Sequence, residues 1–337
     1  MSIEVNNYNP SLHGKLMDYM ISEFPFRNKN YLGWWLSNIK DAGLDCWNKC
    51  IIVKENEIII GCTTVNELKF NVDNTNLVFF STSNTIVSPS QRGKGISKKI
   101  YKVRNDYKNW IGLGITDIAW KILPKYVENF TPIRPINVYI GLNRQVFLQL
   151  LKKLIRVSDS SQSGFSFPHN LMINGSEEIQ RIRNVSEMEI PHNGHWTVDD
   201  IELVRDSEFI QKRFFEIYCA ERYGIYEYLS NGKCIGYLIL RKTVYKDLDM
   251  VSLVDYRFHS RNDEMKAFKV ASQIARKNHI GLVIALSSRD YGNRLLPVLL
   301  KMKKQLNCAT GYKEYCDKFN DALFTSADSD LDFVYYQ

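Results

Sequence analysis

A short segment near residue 90 carries the most specific chemistry in the sequence. Residues 85–97 read TIVSPSQRGKGIS, a β-branched run followed by a proline, two glycines and two basic residues. Pro89 has no N–H to donate to a ladder, so a strand should end just before it. Gly93 and Gly95 lack a Cβ atom, which lets the backbone turn sharply and approach a ligand closely. The segment therefore predicts a tight loop that binds a ligand through its backbone.

The residues after the second glycine predict a helix, whose start would complete a phosphate site. Apolar residues recur on one helical face at Ile96, Ile100, Val103 and Tyr107. The first N–H groups of a helix have no acceptor within the helix and carry the positive end of its dipole. Arg92 and Lys94 add positive charge beside them. A Walker loop is disfavoured because the G-K-[ST] ending is absent.

The loop also resembles a known signature. Residues 92–97 (RGKGIS) are similar to the R/Q-x-x-G-x-G/A motif of the GNAT acyltransferase superfamily, and the preceding V-S-P resembles the end of that family's fourth strand. The resemblance implies that the loop holds the pyrophosphate of acetyl-CoA or another acyl-CoA through Arg92, Gly93, Lys94, Gly95, Ile96 and Ser97. It also implies backbone contacts from Ile86 and Val87 to pantetheine. Ser97 departs from the motif but is still small.

Acyl transfer to an amine needs a base, an oxyanion donor and an acid for the leaving thiolate. Glu67 is the nearest carboxylate to the predicted site and is a candidate base acting through water. Its alternative is an ordinary solvated glutamate. Tyr126 is a candidate acid, one turn after Leu123, where the family often places a tyrosine. Its alternative is a tyrosine that packs on the core. A backbone N–H near Ile86 or Val87 is the expected oxyanion donor.

The elements that would position this site occur twice. A hairpin, a strand, the loop and a helix over residues 50–107 are echoed by a hairpin at 226–240, a strand at 250–258 and a helix at 263–278. This order predicts an α+β fold of two tandem GNAT-like domains, each a mixed, mostly antiparallel sheet flanked by helices. The domains are predicted at residues 1–155 and 196–337, with a linker at 156–195.

The second copy is predicted to be degenerate. Residues 256–263 read YRFHSRND and contain no glycine, and Asp263 opens the following helix. A carboxylate at that position would repel a pyrophosphate. We therefore expect one acyl-CoA per chain, with the second copy completing the fold or the acceptor site.

Composition narrows the remaining choices. The net charge of +7 suits an anionic cofactor, but the basic residues form no stripe for nucleic acid. The sequence has neither a C-x-x-C pair nor a clustered histidine pattern, so no metal site is predicted. No apolar run is long enough for a membrane span and no signal peptide is apparent, which predicts a cytoplasmic protein.

The expected partner is a small-molecule amine, such as an amino sugar of surface-polysaccharide synthesis, in some cases linked to a nucleotide. Two alternatives stay open. One is a tandem aminoacyl- or peptidyl-transferase of cell-wall synthesis, a group that commonly lacks the glycine loop. The other is a non-catalytic CoA-binding module. The sequence leaves the acyl chain length and the oligomeric state undetermined.

Overall fold

A computed structural model describes residues 3–24, 29–40, 50–106, 109–146, 165–245, 248–292 and 300–328. The chain packs as two compact units. The first contains residues 1–70, 74–134 and 307–320, and the second contains residues 71–73, 135–306 and 321–337. The units thus exchange chain segments, whereas the sequence predicted contiguous domains. The physical reason is that two long strands, Thr131–Leu142 and Leu300–Thr310, each run from one unit into the other.

The first unit is built on a sheet in which the first four strands lie in chain order. Its elements are β1 (Ile3–Asn7), α1 (His13–Glu23), α2 (Lys29–Lys40), β2 (Cys50–Glu55), β3 (Ile58–Val72), β4 (Thr75–Val87), α3 (Ile96–Val103), β5 (Ile111–Ile115), α4 (Asp117–Ile122) and the start of β6 (Thr131–Leu142). The end of strand β14 (Leu300–Thr310) pairs antiparallel with β5, and helix α7 (Cys316–Asp321) follows it.

Helix α3 is fixed to this sheet by its apolar face. Ile96 and Ile100 are buried in a cluster with Val53, Ile60 and Val87 of the strands. Burying an isoleucine side chain stabilises a fold by about 1.5–3 kcal/mol. Because Ile96 is the first residue of α3 and is buried against the strands, the helix begins directly after the loop.

The second unit is a larger sheet with the strand order β6-β13-β12-β11-β10-β8-β7. Only β12 and β13 are parallel among the strand pairs whose register the structure describes here. Its remaining elements are β7 (Asn170–Asn174), β8 (Glu177–Ile182), β9 (Ile201–Leu203), α5 (Ser207–Ile210), β10 (Tyr223–Ser230), β11 (Lys233–Tyr245), β12 (Leu248–Phe258), α6 (Glu264–Lys277) and β13 (Leu282–Ser287).

The predicted fold class and the repeated order of elements are confirmed. In both units a hairpin, a strand, a helix and a further strand follow one another. The region predicted as a linker differs, because residues 170–182 form a hairpin whose second strand pairs with β10. Asn174 and Gly175 provide its turn, where the Asn174 Oδ1 accepts hydrogen bonds from the N–H groups of Ser176 and Glu177. The same Asn-Gly signal predicted the β10–β11 turn.

None of the helices that the structure describes has the length and apolar composition needed to span a bilayer. Within the same described ranges, the His, Cys, Asp and Glu side chains form no group of three or more arranged to hold a metal ion.

Candidate functional site

The glycine loop is an exposed turn between β4 and α3. The Ser88 N–H donates to the Ile60 carbonyl at 3.0 Å, and Pro89–Gln91 then form a short 3-10 turn. Gly93 and Gly95 both have a φ of 81°, a left-handed conformation that favours glycine. A Cβ atom built on either glycine would meet no other atom within 4 Å. The loop therefore presents its backbone to open space, as a phosphate site requires.

Helix α3 begins at Ile96, directly after the second glycine. The Lys99 N–H donates to the Gly95 carbonyl at 3.2 Å, so the first turn is formed. The N–H groups of Ile96, Ser97 and Lys98 lie in the first turn of the helix, where N–H groups have no acceptor within the helix. Ile96 also packs closely on β3, since a Cβ atom at Gly61 would lie 3.0 Å from its Cγ2. A glycine at position 61 thus lets the start of the helix approach the sheet.

Positive charge surrounds the loop. Arg92 and Lys94 are exposed beside the glycines, and Lys98 is exposed on the first turn of α3. The Arg92 Nε–H donates to the Val87 carbonyl at 3.3 Å, which holds the guanidinium next to the end of β4. Gln91 is held in turn by Glu55, with its Nε2 donating to the Glu55 Oε2 at 3.0 Å. An anion at the loop would meet charge as well as backbone donors.

Strands β4 and β5 separate after one contact. The Phe80 N–H donates to the Asn109 carbonyl at 2.7 Å, beside an isolated parallel bridge between Phe80 and Trp110. In the part of the chain that the structure describes, no ladder joins residues 81–87 to β5. Residues 81–87 of β4 run from this bridge to the loop. Ile86 and Val87, the predicted pantetheine contacts, lie at the loop end of this segment and have buried side chains.

A second concave surface lies beside α3. It is a depression of about 930 Å³ whose lining includes three lysines, Lys98, Lys102 and Lys125, together with Tyr126. The Lys98 Nζ lies 5.5 Å from the centre of the Tyr126 ring. Tyr126 is half-buried, and its carbonyl accepts from Asn105. Tyr126, the predicted acid, therefore lies in a depression lined by lysines, one of which, Lys98, is on the first turn of the helix after the glycine loop.

Glu67, the predicted base, lies within β3 and is exposed. The sequence placed it just beyond that strand, but β3 continues to Val72 because Phe70 and Val72 return to the core. Among the described residues, neither Glu67 nor the Tyr126 hydroxyl hydrogen-bonds to the loop. The structure thus brings the six predicted loop residues together without joining the two predicted catalytic side chains to them.

Sequence reasoning overlooked a polar run in the middle of β4. Residues 81–84 read STSN and lie between the apolar residues 77–80 and 86–87 of the same strand. Ser83 and Thr85 bond to β3: the Thr85 and Thr63 hydroxyls lie 2.7 Å apart, and the Ser83 carbonyl accepts from the Thr64 hydroxyl at 2.8 Å. Asn84 between them has a left-handed φ of 49°. The interruption of the apolar pattern was the available signal.

The counterpart of the loop in the second unit is filled by side chains. Helix α6 follows β12 as α3 follows β4, and its first residue, Glu264, is fully buried. The Glu264 carboxylate accepts from the Arg289 Nε at 2.9 Å and from the Tyr291 hydroxyl at 2.6 Å. Burial raises the pKa of Glu264, although Arg289 acts against the shift. The first residue of this helix is therefore a buried carboxylate that is already paired with side chains of the protein.

The space between β12 and β13 is filled in the same way. The two strands pair in parallel at residues 250–253 and 282–285. Beyond that ladder, the Tyr256 hydroxyl donates to the Ser287 Oγ at 2.8 Å and lies 2.8 Å from the Tyr291 hydroxyl. All three residues are buried. This packing supports the prediction that the second copy does not bind CoA.

Solved structures of other proteins share this fold. No family model matches the sequence, and no curated protein matches it either. Among solved structures, a GCN5-related N-acetyltransferase from Anabaena variabilis aligns with a TM-score of 0.57 at 11% identity, over 92% of this chain and 72% of that chain. A probable N-acyltransferase from Enterococcus faecalis aligns with a TM-score of 0.56 at 13% identity, over 92% and 72%.

A third similar structure is the Saccharomyces cerevisiae N-myristoyltransferase, solved with bound myristoyl-CoA and inhibitors. It aligns with a TM-score of 0.55 at 14% identity, over 92% of this chain and 80% of that chain. At these identities the similarity concerns the fold. The chain has the fold of GNAT acyltransferases in a tandem arrangement, which confirms the prediction made from the loop and the repeated elements.

Proposed function

We propose that the protein is an acyl-CoA-dependent N-acyltransferase that binds one acyl-CoA per chain at the loop of the first unit. The observation that carries the proposal is the open left-handed turn at Gly93 and Gly95, set at the start of α3 and flanked by Arg92 and Lys94. Backbone donors, a helix dipole and exposed cations converge there. A pyrophosphate fits this set of donors.

The residues on either side of the loop would contact the pyrophosphate and pantetheine parts of acyl-CoA. The N–H groups of Gly93, Gly95, Ile96 and Ser97 would hold the pyrophosphate. Lys94 would contribute its side chain, because its N–H already donates to the Gln91 carbonyl at 3.3 Å. Ile86 and Val87 would contact pantetheine along the edge of β4 that lies open toward β5. The similar structures include one solved with myristoyl-CoA, which is consistent with an acyl-CoA donor but does not fix the acyl group here.

In the transfer itself, the acceptor nitrogen attacks the thioester carbonyl carbon. The C–N bond forms, the C–S bond breaks, and the proton lost by the amine is balanced by one gained by the thiolate. Holding the two reactants together supplies much of the acceleration. We propose Glu67, acting through water, as the proton acceptor and Tyr126 as the donor to sulfur.

The acceptor class is proposed as a small-molecule primary amine, with amino sugars and nucleotide-linked amino sugars as the first to screen. The net charge of +7 suits a nucleotide-linked acceptor. We also propose that residues 1–155 and 196–337 are the two copies of the repeated order of elements, and that the protein is cytoplasmic.

The test is calorimetric titration of the full chain with acetyl-CoA. Gly95→Glu places a carboxylate in the anion site, so we expect binding at least about 100-fold weaker. Gly232→Glu is the matched control, because Gly232 has a φ of 74° and open space around it in the β10–β11 turn. Equal binding by wild type and Gly95→Glu would contradict the loop assignment.

Catalysis is tested separately by following thiol release from acetyl-CoA with a panel of primary amines. Release that depends on one amine class supports the transferase. Tight acetyl-CoA binding with no thiol release from any amine supports the binding-module alternative instead.

A further inference from the structure

Asn84 is a buried polar side chain without a hydrogen-bond partner. Its relative exposure is 7%, and in the described part of the protein neither its Nδ2 nor its Oδ1 has a partner. Its φ of 49° is left-handed, which costs energy for any residue with a Cβ atom. Buried amides are almost always paired, so an unpaired one needs an explanation.

The neighbouring polar residues do have an explanation. Ser83 and Thr85 are bonded to β3 through Thr64 and Thr63, so they serve the pairing of the two strands. Asn84 takes no part in that network. Thr82 resembles it, since the Thr82 Oγ1 is also enclosed and unpaired. The part of β4 around residues 82–84 therefore holds polar groups that the protein itself does not satisfy.

The position of Asn84 along β4 connects it to the site. It lies beyond the Phe80–Trp110 bridge, in the stretch that is not joined to β5 in the described residues. It is about 10 Å along the strand from Val87 at 3.3 Å per residue. A donor anchored by its pyrophosphate at the loop and extended along β4 reaches this point with its pantetheine arm, toward the end that carries the acyl group.

We propose that the Asn84 carboxamide is a ligand of the acyl thioester, with its Nδ2–H donating to the thioester carbonyl oxygen. This inference rests on the proposed function. A carbonyl oxygen is a pure acceptor, so it satisfies the unpaired donor. The same hydrogen bond would strengthen as negative charge develops on the oxygen during attack by the amine. The left-handed backbone would fix the carboxamide at this one point of the strand.

The experiment compares CoA with acetyl-CoA, which differ only in the acyl group. Asn84→Gly removes the side chain and keeps the backbone conformation. Asn84→Asp keeps the shape and removes the N–H donor. Asn56→Gly is the control, because Asn56 has a φ of 48° in the exposed β2–β3 turn. Calorimetry gives both affinities, and isotope-edited infrared spectra of [1-¹³C]acetyl-CoA report hydrogen bonding to the carbonyl.

We expect both Asn84 variants to bind CoA within about twofold of wild type and acetyl-CoA about five- to tenfold more weakly. The bound carbonyl stretch, lowered in wild type, should return toward its value in water-free solvent in the variants and stay lowered in Asn56→Gly. Equal weakening of CoA and acetyl-CoA would overturn the inference in favour of a contact to pantetheine. Unchanged affinities and spectra would also overturn it, and would show a structural role.

These failures differ from failure of the proposed function. If wild type binds neither CoA nor acetyl-CoA, both proposals fall together. If wild type binds acetyl-CoA and Asn84→Gly behaves like wild type, the loop assignment stands and only the role of Asn84 is lost.

Discussion

The starts of helices α3 and α6 occupy equivalent places in the two units but have opposite chemistry. Before α3, Gly93 and Gly95 turn in left-handed conformations, and a Cβ atom on either would meet no neighbour within 4 Å. At the start of α6, Asp263 bonds to Lys266 at 2.8 Å and the Glu264 carboxylate is buried against Arg289 and Tyr291. The start of α3 therefore presents exposed backbone and cations, whereas the start of α6 carries carboxylates that are already paired with side chains.

The difference between the two helix starts shows how one fold can present an anion site in one copy and lack it in the other. A helix start favours an anion wherever it occurs. In the second unit the first helical residue, Glu264, is itself a buried carboxylate that is bonded to Arg289. Arg289 also pairs with Asp199, and Arg205 pairs with both Asp255 and Asp328. The position that we propose binds a ligand in the first unit has side-chain partners of its own in the second.

The largest effect is expected when the ion pairs of Arg289 at the start of α6 are removed. Arg289→Met leaves the buried Glu264 carboxylate without its cationic partner and leaves Asp199 paired with Arg261 alone. We expect the free energy of unfolding to fall by about 3–5 kcal/mol. Urea denaturation measures it. Lys212→Met is the control, because the Lys212–Glu208 pair is exposed and should change stability by less than about 0.5 kcal/mol. An equally small effect of Arg289→Met would show that the network is dispensable.

The same network predicts sensitivity to acid. Burial alone would raise the pKa of Asp255, but Arg205 and Arg257 outweigh it and hold the pKa at about 2, below the ordinary 3.8. A depressed pKa gives stability that is present above pH 3.8 and is lost as pH falls toward 2, here about 2 kcal/mol. We expect Asp255→Asn to lack this share of the acid loss in urea titrations from pH 5 to pH 2.5. A variant with the full wild-type pH dependence would contradict this.

A smaller effect is expected at the glycine loop before α3, where Arg92 supplies positive charge. Arg92→Ala removes a cation that the Val87 carbonyl holds at the loop, and acetyl-CoA should bind about tenfold more weakly. Arg92→Lys keeps the charge and should recover part of the loss. Calorimetry at two salt concentrations checks the cause, because the difference between wild type and Arg92→Ala should shrink at high salt. A difference that does not respond to salt would point to packing instead.

The smallest effect concerns the departure from the family motif. Ser97 is half-buried in the first turn of α3. Ser97→Ala restores a residue that the motif allows, and acetyl-CoA affinity should change by less than about threefold, the worth of one modest hydrogen bond. A tenfold loss would instead make the Ser97 hydroxyl a phosphate ligand in its own right.

The glycine loop and its helix could be predicted because local chemistry determines them. Pro89 ends the strand, the glycines supply the turn, and the apolar spacing from Ile96 sets the helix. The exchange of β6 and β14 between units could not be predicted in this way, because it depends on pairing between residues distant in sequence.

The catalytic side chains were harder to predict for a related reason. Distance along the chain points to Glu67, and the family's usual position points to Tyr126. Neither criterion determines where a side chain lies in the folded protein. Asn84 was hidden because nothing in its residue type marks it. Only its burial, its backbone conformation and its lack of a partner in the described structure distinguish it from the bonded residues beside it.

The most direct measurement of the central claim is hydrogen–deuterium exchange of the full chain with and without acetyl-CoA, because it reads both helix starts in one sample. We predict that the ligand slows exchange of the amides at residues 93–99 and leaves those at residues 260–266 unchanged. Slowed exchange at residues 260–266, or none at residues 93–99 under saturating acetyl-CoA, would contradict the account.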